Sequence, residues 1–325
     1  MMNNISKNPF KFSRGTVVSG KWHHNKYTIV KELGFGANGT VYLAQSSFGY
    51  VALKMSNDHM TVTSEVNVLK AFSKVQGSAL GPSLLDVDDW QRITGVIPFY
   101  VMEYIQGEDL LTFIQKKGTA WIPVLLSQLL RDLERLHKEG WVFGDIKPEN
   151  LIVTQPSNRI RCIDVGGTTP IGRAVKEFTE FFDRGYWGYG TRKAEPSYDL
   201  FSVAMVIINI AYPRRFQKQG DGKNQLLHVI KQSPTLQPYR FIIFKALHGQ
   251  YRSAEDMRRD ILSLVVSNQQ PKGTARRAAS RKQPASVSIQ SVRVKKTNQG
   301  GWLESFLVLT LVSVLYALYI FQQLL

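Results

Sequence analysis

The chain has 325 residues, of which 43% are hydrophobic and 20% are charged, and its formal net charge at pH 7 is +16. This apolar content suffices for a sizeable core and excludes a wholly disordered protein, because disordered chains are poor in hydrophobic residues. The only cysteine is Cys162, which excludes an internal disulfide and agrees with a cytoplasmic protein. The N-terminus lacks an apolar signal region, so we expect no secretion.

The first predicted elements are two strands joined by a glycine-rich tip. Residues 1 to 26 form a basic segment without acidic residues, and the apolar runs at 27–30 and 41–44 follow it. Between the runs lie Gly34, Gly36 and Gly39, and such glycines let a backbone close over phosphate oxygens. A dinucleotide-binding fold would place a helix after these glycines. The strand that follows excludes that fold and leaves a simple glycine-rich hairpin as the alternative.

The next three elements are a strand, a helix and a buried strand. The strand at 51–54 ends on Lys54, and the helix predicted at 64–72 begins beside Glu65. The helix has apolar residues at the spacing of one buried face, namely Val66, Leu69 and Phe72. The apolar run at 99–105 predicts a buried strand that ends in a turn.

Residues 142 to 150 read VFGDIKPEN and contain the groups that phosphoryl transfer requires. The carboxylate of Asp145 can accept the proton of an attacking hydroxyl, and Lys147 can neutralise charge on the phosphoryl group. Asn150 can bind a magnesium ion. Two short strands follow and end on Asp164, a carboxylate that can bind the same kind of ion.

Together these segments resemble a bacterial eukaryotic-type (Hanks-type) serine/threonine protein kinase over residues 27 to 266. The resemblance implies an α+β fold of two lobes, with a small β-rich lobe at 27–105 and a helical lobe at 106–266. It also implies that ATP and Mg²⁺ bind between the lobes, and that the γ-phosphate passes to Ser or Thr of protein substrates and of the chain itself. Lys147, two residues after Asp145, follows the serine/threonine pattern.

The resemblance further implies the site residues. Asp145, Lys147, Lys54 and Glu65 would be catalytic, with Lys54 pairing both with the nucleotide phosphates and with Glu65. The magnesium ligands would be Asn150 and Asp164. The nucleotide-binding residues would be Gly34, Phe35, Gly36, Ala37, Asn38, Gly39, Val41, Ala52, Lys54, Met102, Glu103 and Ile105.

Four positions depart from the family or align with it only approximately. Gly144 stands where the family has an arginine that binds a phosphorylated loop, so we predict activity without loop phosphorylation. Val165 replaces the phenylalanine that usually follows the metal-binding aspartate. Glu195 is the expected partner of Arg252, and Thr191 aligns with the family's threonine that contacts the catalytic aspartate.

The last segment, residues 302 to 325, predicts a single membrane-spanning helix. Residues 305 to 325 are uncharged and would span about 31 Å as a helix, which matches a hydrocarbon core of about 30 Å. The preceding basic run would keep the kinase domain in the cytoplasm by the positive-inside rule. This layout of a cell-membrane, single-pass kinase resembles the small C-terminally anchored kinases of spore-forming bacteria.

The segment at 267–301 predicts a disordered basic linker, because it is rich in polar residues and poor in large apolar ones. Its basic residues are Lys272, Arg276, Arg277, Arg281, Lys282, Arg293, Lys295 and Lys296. Two hypotheses for its partner are anionic lipid, at about 1 kcal/mol per basic residue, and DNA. Two alternatives to a membrane-anchored kinase also stay open, namely a catalytically inactive kinase fold that serves as a scaffold and a membrane-anchored DNA-binding tether.

Overall fold

The computed structural model describes residues 10–36, 38–74 and 80–269. The linker beyond residue 269 and the predicted membrane helix at 302–325 lie outside these residues, as does Ala37. Among the residues that are described, none of the helices combines the length and the apolar character needed to cross a bilayer.

The small lobe is built from one antiparallel sheet and one helix. Its strands are β1 (Val17–Ser19), β2 (Lys26–Gly36), β3 (Gly39–Ser46), β4 (Gly49–Met55), β5 (Leu84–Arg92) and β6 (Gly95–Glu103). The strand order is β1-β2-β3-β4-β6-β5. Helix α1 (His59–Lys74) contacts β5 and β6. Val66, Leu69 and Phe72 are buried, so the predicted apolar face of α1 is confirmed.

Residues before position 27 also pack on this lobe. Strand β1 pairs with β2, and Val18 is fully buried in the same apolar cluster as Phe99 of β6. Asp88 of β5 accepts hydrogen bonds from the main-chain N–H groups of Trp22 (2.9 Å) and His23 (2.8 Å). The small lobe therefore begins before the boundary predicted from the sequence.

The large lobe is mainly helical. Its helices are α2 (Leu110–Lys117), α3 (Ile122–Lys138), α4 (Arg184–Trp187), α5 (Pro196–Ala211), α6 (Gly222–Gln232), α7 (Arg240–Leu247) and α8 (Ala254–Gln269). Its short strands are β7 (Gly107–Asp109), β8 (Trp141–Val142), β9 (Leu151–Thr154), β10 (Arg159–Cys162) and β11 (Thr169–Pro170). Helix α3 packs against α8, and α5 lies buried between its neighbours because most of its side chains are apolar. This β-rich small lobe and helical large lobe confirm the protein-kinase fold.

Asp199, in the first turn of α5, holds the segment that leads into the predicted catalytic residue Asp145. The carboxylate is fully buried and accepts hydrogen bonds from the main-chain N–H groups of Phe143 (2.8 Å) and Gly144 (2.9 Å). Nε2 of His137 lies 2.8 Å from the same carboxylate. Since buried carboxylates need such donors, Asp199 ties the catalytic loop to the core helix of the lobe.

The packing of β1 predicts that alanine substitution lowers the stability at one of two neighbouring valines and has little effect at the other. Val18→Ala removes two buried methyl groups and should lower the free energy of unfolding by about 1.5–2.5 kcal/mol. Val17→Ala is the matched control, because Val17 is 48% exposed in the same strand, and it should change stability little. Chemical denaturation of both variants would check this. Equal stability of the two would show that the N-terminal strand does not pack on the small lobe.

Candidate active site

A cleft of about 430 Å³ opens beneath the β2–β3 hairpin, a volume in the range of small-molecule sites. Every described residue that is predicted from the sequence to bind the nucleotide lies in the wall of this cleft. They are Gly34, Phe35, Gly36, Asn38, Gly39, Val41, Ala52, Lys54, Met102, Glu103 and Ile105. Asn150 and Asp164, the predicted magnesium ligands, line it as well. One cavity is thus lined by predicted site residues that lie between positions 34 and 164 of the chain.

The tip of the β2–β3 hairpin requires glycine at one position. Gly39 has a φ of +129°, and a Cβ there would lie 2.0 Å from the main-chain oxygen of Met55. No side chain fits at such a distance, and only glycine adopts this conformation readily. Gly39 therefore lets the tip lie against the end of β4.

A buried carboxylate is held from two adjacent strands at the back of the cleft. Lys54 of β4 is directly opposite Tyr100 of β6 in the sheet. Nζ of Lys54 lies 2.6 Å from Oε1 of Glu65, and the hydroxyl of Tyr100 donates to Oε2 at 2.9 Å. Glu65 is only 4% exposed, so the predicted Lys54–Glu65 pair forms in the interior.

Tyr100 is a site residue that the sequence reasoning missed. Burial and the charge of Glu65 raise the pKa of Tyr100 well above its usual value, so the hydroxyl remains a donor. Nothing in the local sequence distinguishes this tyrosine from an ordinary core residue. Its contact with Glu65 follows from the register of β4 with β6. The residue pattern within one strand does not specify that register.

The catalytic loop arranges its polar groups around Asp145. Nζ of Lys147 lies 2.5 Å from Oδ2 of Asp145. The hydroxyl of Thr179 donates to Oδ1 at 3.1 Å and accepts from Lys147 at 3.2 Å. Nδ2 of Asn150 donates to the main-chain oxygen of Asp145 at 3.1 Å, which leaves the amide oxygen of Asn150 as the atom to bind a cation. The loop therefore presents a base, a cation and a potential metal ligand side by side.

Two expectations about the segment after Asp164 are wrong. Thr179, rather than Thr191, contacts the catalytic aspartate, whereas the main-chain oxygen of Thr191 accepts from Nε of Arg184 at 2.6 Å. Glu195 pairs with Arg184 at 2.8 Å, while Arg252 is exposed. The short helix α4 brings Arg184 to Glu195, so the segment closes on itself instead of on α8.

The predicted magnesium ligands are oxygen donors, which is the ligand type that Mg²⁺ prefers. Asp164 is exposed to the cleft, and its Oδ1 accepts a hydrogen bond from the N–H of Gly166 at 3.0 Å. The N–H of Ile163 donates to the main-chain oxygen of Asn150 at 3.0 Å, which joins the two ligand-bearing segments. Val165 is buried, and its side chain and that of Phe72 both approach Gly81. The donor set therefore fits magnesium.

Gly144, which replaces the family's arginine, has a conformation that excludes a side chain. Its φ is +87°, and a Cβ would lie 2.5 Å from the main-chain oxygen of Gly167. An arginine at this position would force the backbone at Gly167, just after the predicted metal ligand Asp164, to move. This geometry supports the prediction that no phosphate clamp forms there.

The chain belongs to the protein kinase family, since residues 27–281 match the family model for the protein kinase domain. It is 49% identical over 318 residues to the serine/threonine-protein kinase YabT of Bacillus subtilis (strain 168), with 94% of each chain covered. Protein kinase dsk1 of Schizosaccharomyces pombe is 32% identical over 47% of this chain and 31% of that protein. The probable serine/threonine-protein kinase CA_C1728 of Clostridium acetobutylicum is 29% identical over 51% of this chain and 24% of that protein. The chain is thus a bacterial Hanks-type serine/threonine protein kinase.

The contact between Tyr100 and Glu65 predicts a loss of activity for Tyr100→Phe. A hydrogen bond to a charged group contributes about 1.5–3 kcal/mol, so kcat/KM should fall by about tenfold or more as α1 loses this restraint. The matched control is Tyr251→Phe, because the hydroxyl of Tyr251 donates to Asp260 at 2.8 Å beside Lys245. This trio lies in the large lobe, away from the cleft. An equal loss of kcat/KM in both variants, at equal loss of stability, would refute a specific role for Tyr100.

The contact of Thr179 predicts a second asymmetry. Thr179→Val removes the hydroxyl between Asp145 and Lys147, and kcat should fall by about tenfold, the equivalent of one hydrogen bond. Thr191→Val leaves the main-chain contact with Arg184 intact and should retain wild-type kcat. Steady-state phosphorylation of a peptide by both variants would check this. A larger loss for Thr191→Val would restore the alignment made from the sequence.

Proposed function

We propose that this kinase binds ATP and Mg²⁺ in the cleft and works from the cytoplasmic face of the cell membrane. A protein kinase domain in general uses both, and the observation that supports their use here is the shared cleft. The cleft is lined by the glycine-rich hairpin and by Lys54, Asn150 and Asp164. The hairpin supplies main-chain donors for phosphates, and Lys54 supplies a positive charge.

The residues divide the chemistry among themselves. ATP supplies the γ-phosphoryl group, and Asn150 and Asp164 would hold the magnesium ion. Asp145 orients the Ser or Thr hydroxyl of the substrate and accepts its proton. Lys147, held beside Asp145 by Thr179, stabilises negative charge as the phosphoryl group moves. Glu65 keeps Lys54 pointed into the cleft.

The proposal for the membrane comes from the sequence of residues 302 to 325. The uncharged run is long enough to span a bilayer, and the basic run before it would lie at an anionic surface. The alignment with the Bacillus subtilis kinase covers 94% of both chains, so the similarity reaches beyond the kinase domain. We place the kinase domain in the cytoplasm, next to that surface.

The basic run, residues 272 to 296, would regulate the kinase by binding DNA or anionic lipid. Its eight positive charges, without a negative one, would attract either polyanion. If all eight contacted DNA phosphates, the logarithm of affinity would fall with the logarithm of salt with a slope of about −7. Serine residues between the basic ones, such as Ser280 and Ser286, would be sites of self-phosphorylation.

The nucleotide proposal predicts that two single substitutions abolish phosphorylation. Full-length protein in detergent should transfer label from the γ-position of ATP to Ser or Thr only when Mg²⁺ is present. Lys54→Ala and Asp145→Ala should each lose at least about 99% of the label, because electrostatic stabilisation by one group contributes about 10²–10³-fold and general-base catalysis about 10²–10⁴-fold. Label that persists in Asp145→Ala would show that another residue is the base.

The role of the basic run is tested by deleting residues 272 to 296. The protein lacking residues 272 to 296 and the full-length protein should both float with electrically neutral vesicles, since the apolar run remains, whereas a chain ending at residue 301 should not. Duplex DNA and anionic vesicles should raise the activity of the full-length protein and leave the deletion unchanged. Stimulation of the deletion would place the sensor elsewhere, and DNA affinity that survives the deletion would refute the linker as the DNA site.

A further inference from the structure

Residues 176 to 179, which we call the crossing segment, run between the two lobes at the mouth of the cleft. At one end, Nζ of Lys176 donates to the hydroxyl of Ser64 on α1 at 2.9 Å. At the other end, Thr179 contacts Asp145 in the catalytic loop. The backbone between them is thereby fixed on both sides, and Glu177 lies in this interval.

The side chain of Glu177 enters the nucleotide cleft. Its Oε1 accepts a hydrogen bond from Nδ2 of Asn38, at the tip of the glycine-rich hairpin. Glu177 also lines the cleft together with Lys54 and Asp164. It therefore bridges the hairpin and the crossing segment across the mouth of the cleft.

Three carboxylates converge on one point beside Glu177. A Cβ on Gly166 would lie 3.1 Å from an oxygen of Glu177, 3.2 Å from one of Glu65 and 3.3 Å from one of Asp164. Lys54 is the cation that faces this group, and it is already paired with Glu65. Burial is the main cause that raises the pKa of Glu177, and the negative charge of Asp164 adds to it. This direction agrees with a carboxylate whose surroundings disfavour its negative charge.

The same place has to accept phosphates if the cleft binds ATP. The hairpin tip, Lys54 and Asp164 are the groups that the proposed function assigns to the phosphates and to magnesium. A carboxylate among them repels a polyphosphate and occupies the amide of Asn38. Like charges at such separations repel one another. A triphosphate would therefore bind more weakly while the carboxylate of Glu177 occupies this place.

We propose that Glu177 occupies the phosphate part of the nucleotide site and must leave Asn38 when ATP binds. This inference rests on the proposed use of ATP in this cleft. Glu177 therefore sets the affinity for the phosphates and leaves the affinity for the adenine and ribose unchanged. Displacing it also breaks the bridge between hairpin and crossing segment, so nucleotide binding and the position of the segment are coupled.

The test measures nucleotide affinity on the full-length protein by calorimetry. Glu177→Gln keeps the shape of the side chain and removes its charge. It should tighten the binding of ATP with Mg²⁺ by about fivefold or more, in the usual range of coupling between two ligands. Adenosine, which has no phosphates, should bind wild type and variant equally well, and this equality also shows that the variant is folded. The matched control is Glu180→Gln, an exposed glutamate of the next turn, which should leave both affinities unchanged.

The opposite results would overturn the proposal. Weaker binding of ATP to Glu177→Gln in Mg²⁺ would make Glu177 a metal ligand rather than a competitor of the phosphates. Unchanged ATP affinity, or the same gain in Glu180→Gln, would leave Glu177 without a specific effect. A wild-type protein that binds neither ATP nor adenosine would refute the nucleotide site itself, whereas wild-type binding without a gain in Glu177→Gln refutes only the role of Glu177.

Discussion

The carboxylate of Glu65 is the point on which the small lobe depends. It joins helix α1 to two neighbouring strands, through Lys54 on β4 and Tyr100 on β6. Removing one partner from a buried ion pair costs about 3–5 kcal/mol. Helix α1 therefore cannot move away without leaving the buried charge of Lys54 without its partner. The position of α1 thereby fixes the lysine at the back of the cleft. Because Lys54 and Tyr100 are cross-strand neighbours, the sheet itself aligns the two donors.

A second buried carboxylate has the same importance in the large lobe. Asp199 receives main-chain hydrogen bonds from Phe143 and Gly144, and these residues directly precede Asp145. The core helix α5 thus helps to position the predicted catalytic residue Asp145. Gly144 can take its left-handed conformation because it has no side chain. The loop therefore passes close to the main-chain oxygen of Gly167, which agrees with the prediction that it needs no bound phosphate.

Local patterns in the sequence were sufficient for the elements that carry the site. The hairpin at Gly34 to Gly39, the apolar face of α1 and the clustering of Lys54 with Glu65 each follow from spacing or from the family resemblance. Contacts that depend on the path of the chain were not accessible in this way. Thr179 was overlooked because the alignment relied on the region around Thr191. Tyr100 and the pairing of Arg184 with Glu195 require strand register and a four-residue helix, which residue patterns do not specify. Strand β1 has three residues, too few for a periodic pattern to show.

The hydroxyl of Tyr100 has a consequence for small molecules that compete with the nucleotide. Met102 and Tyr100 both line the cleft, and alternate residues of a strand point to the same face. An inhibitor that extends past Met102 therefore meets a hydroxyl whose only proton is already donated to Glu65, so that its oxygen is left as an acceptor. A compound that carries a hydrogen-bond donor at this depth could bind the hydroxyl oxygen of Tyr100, whereas one that carries an acceptor would compete with Glu65 for the proton. Selectivity between this enzyme and kinases with an aliphatic residue at that place can be designed on this difference.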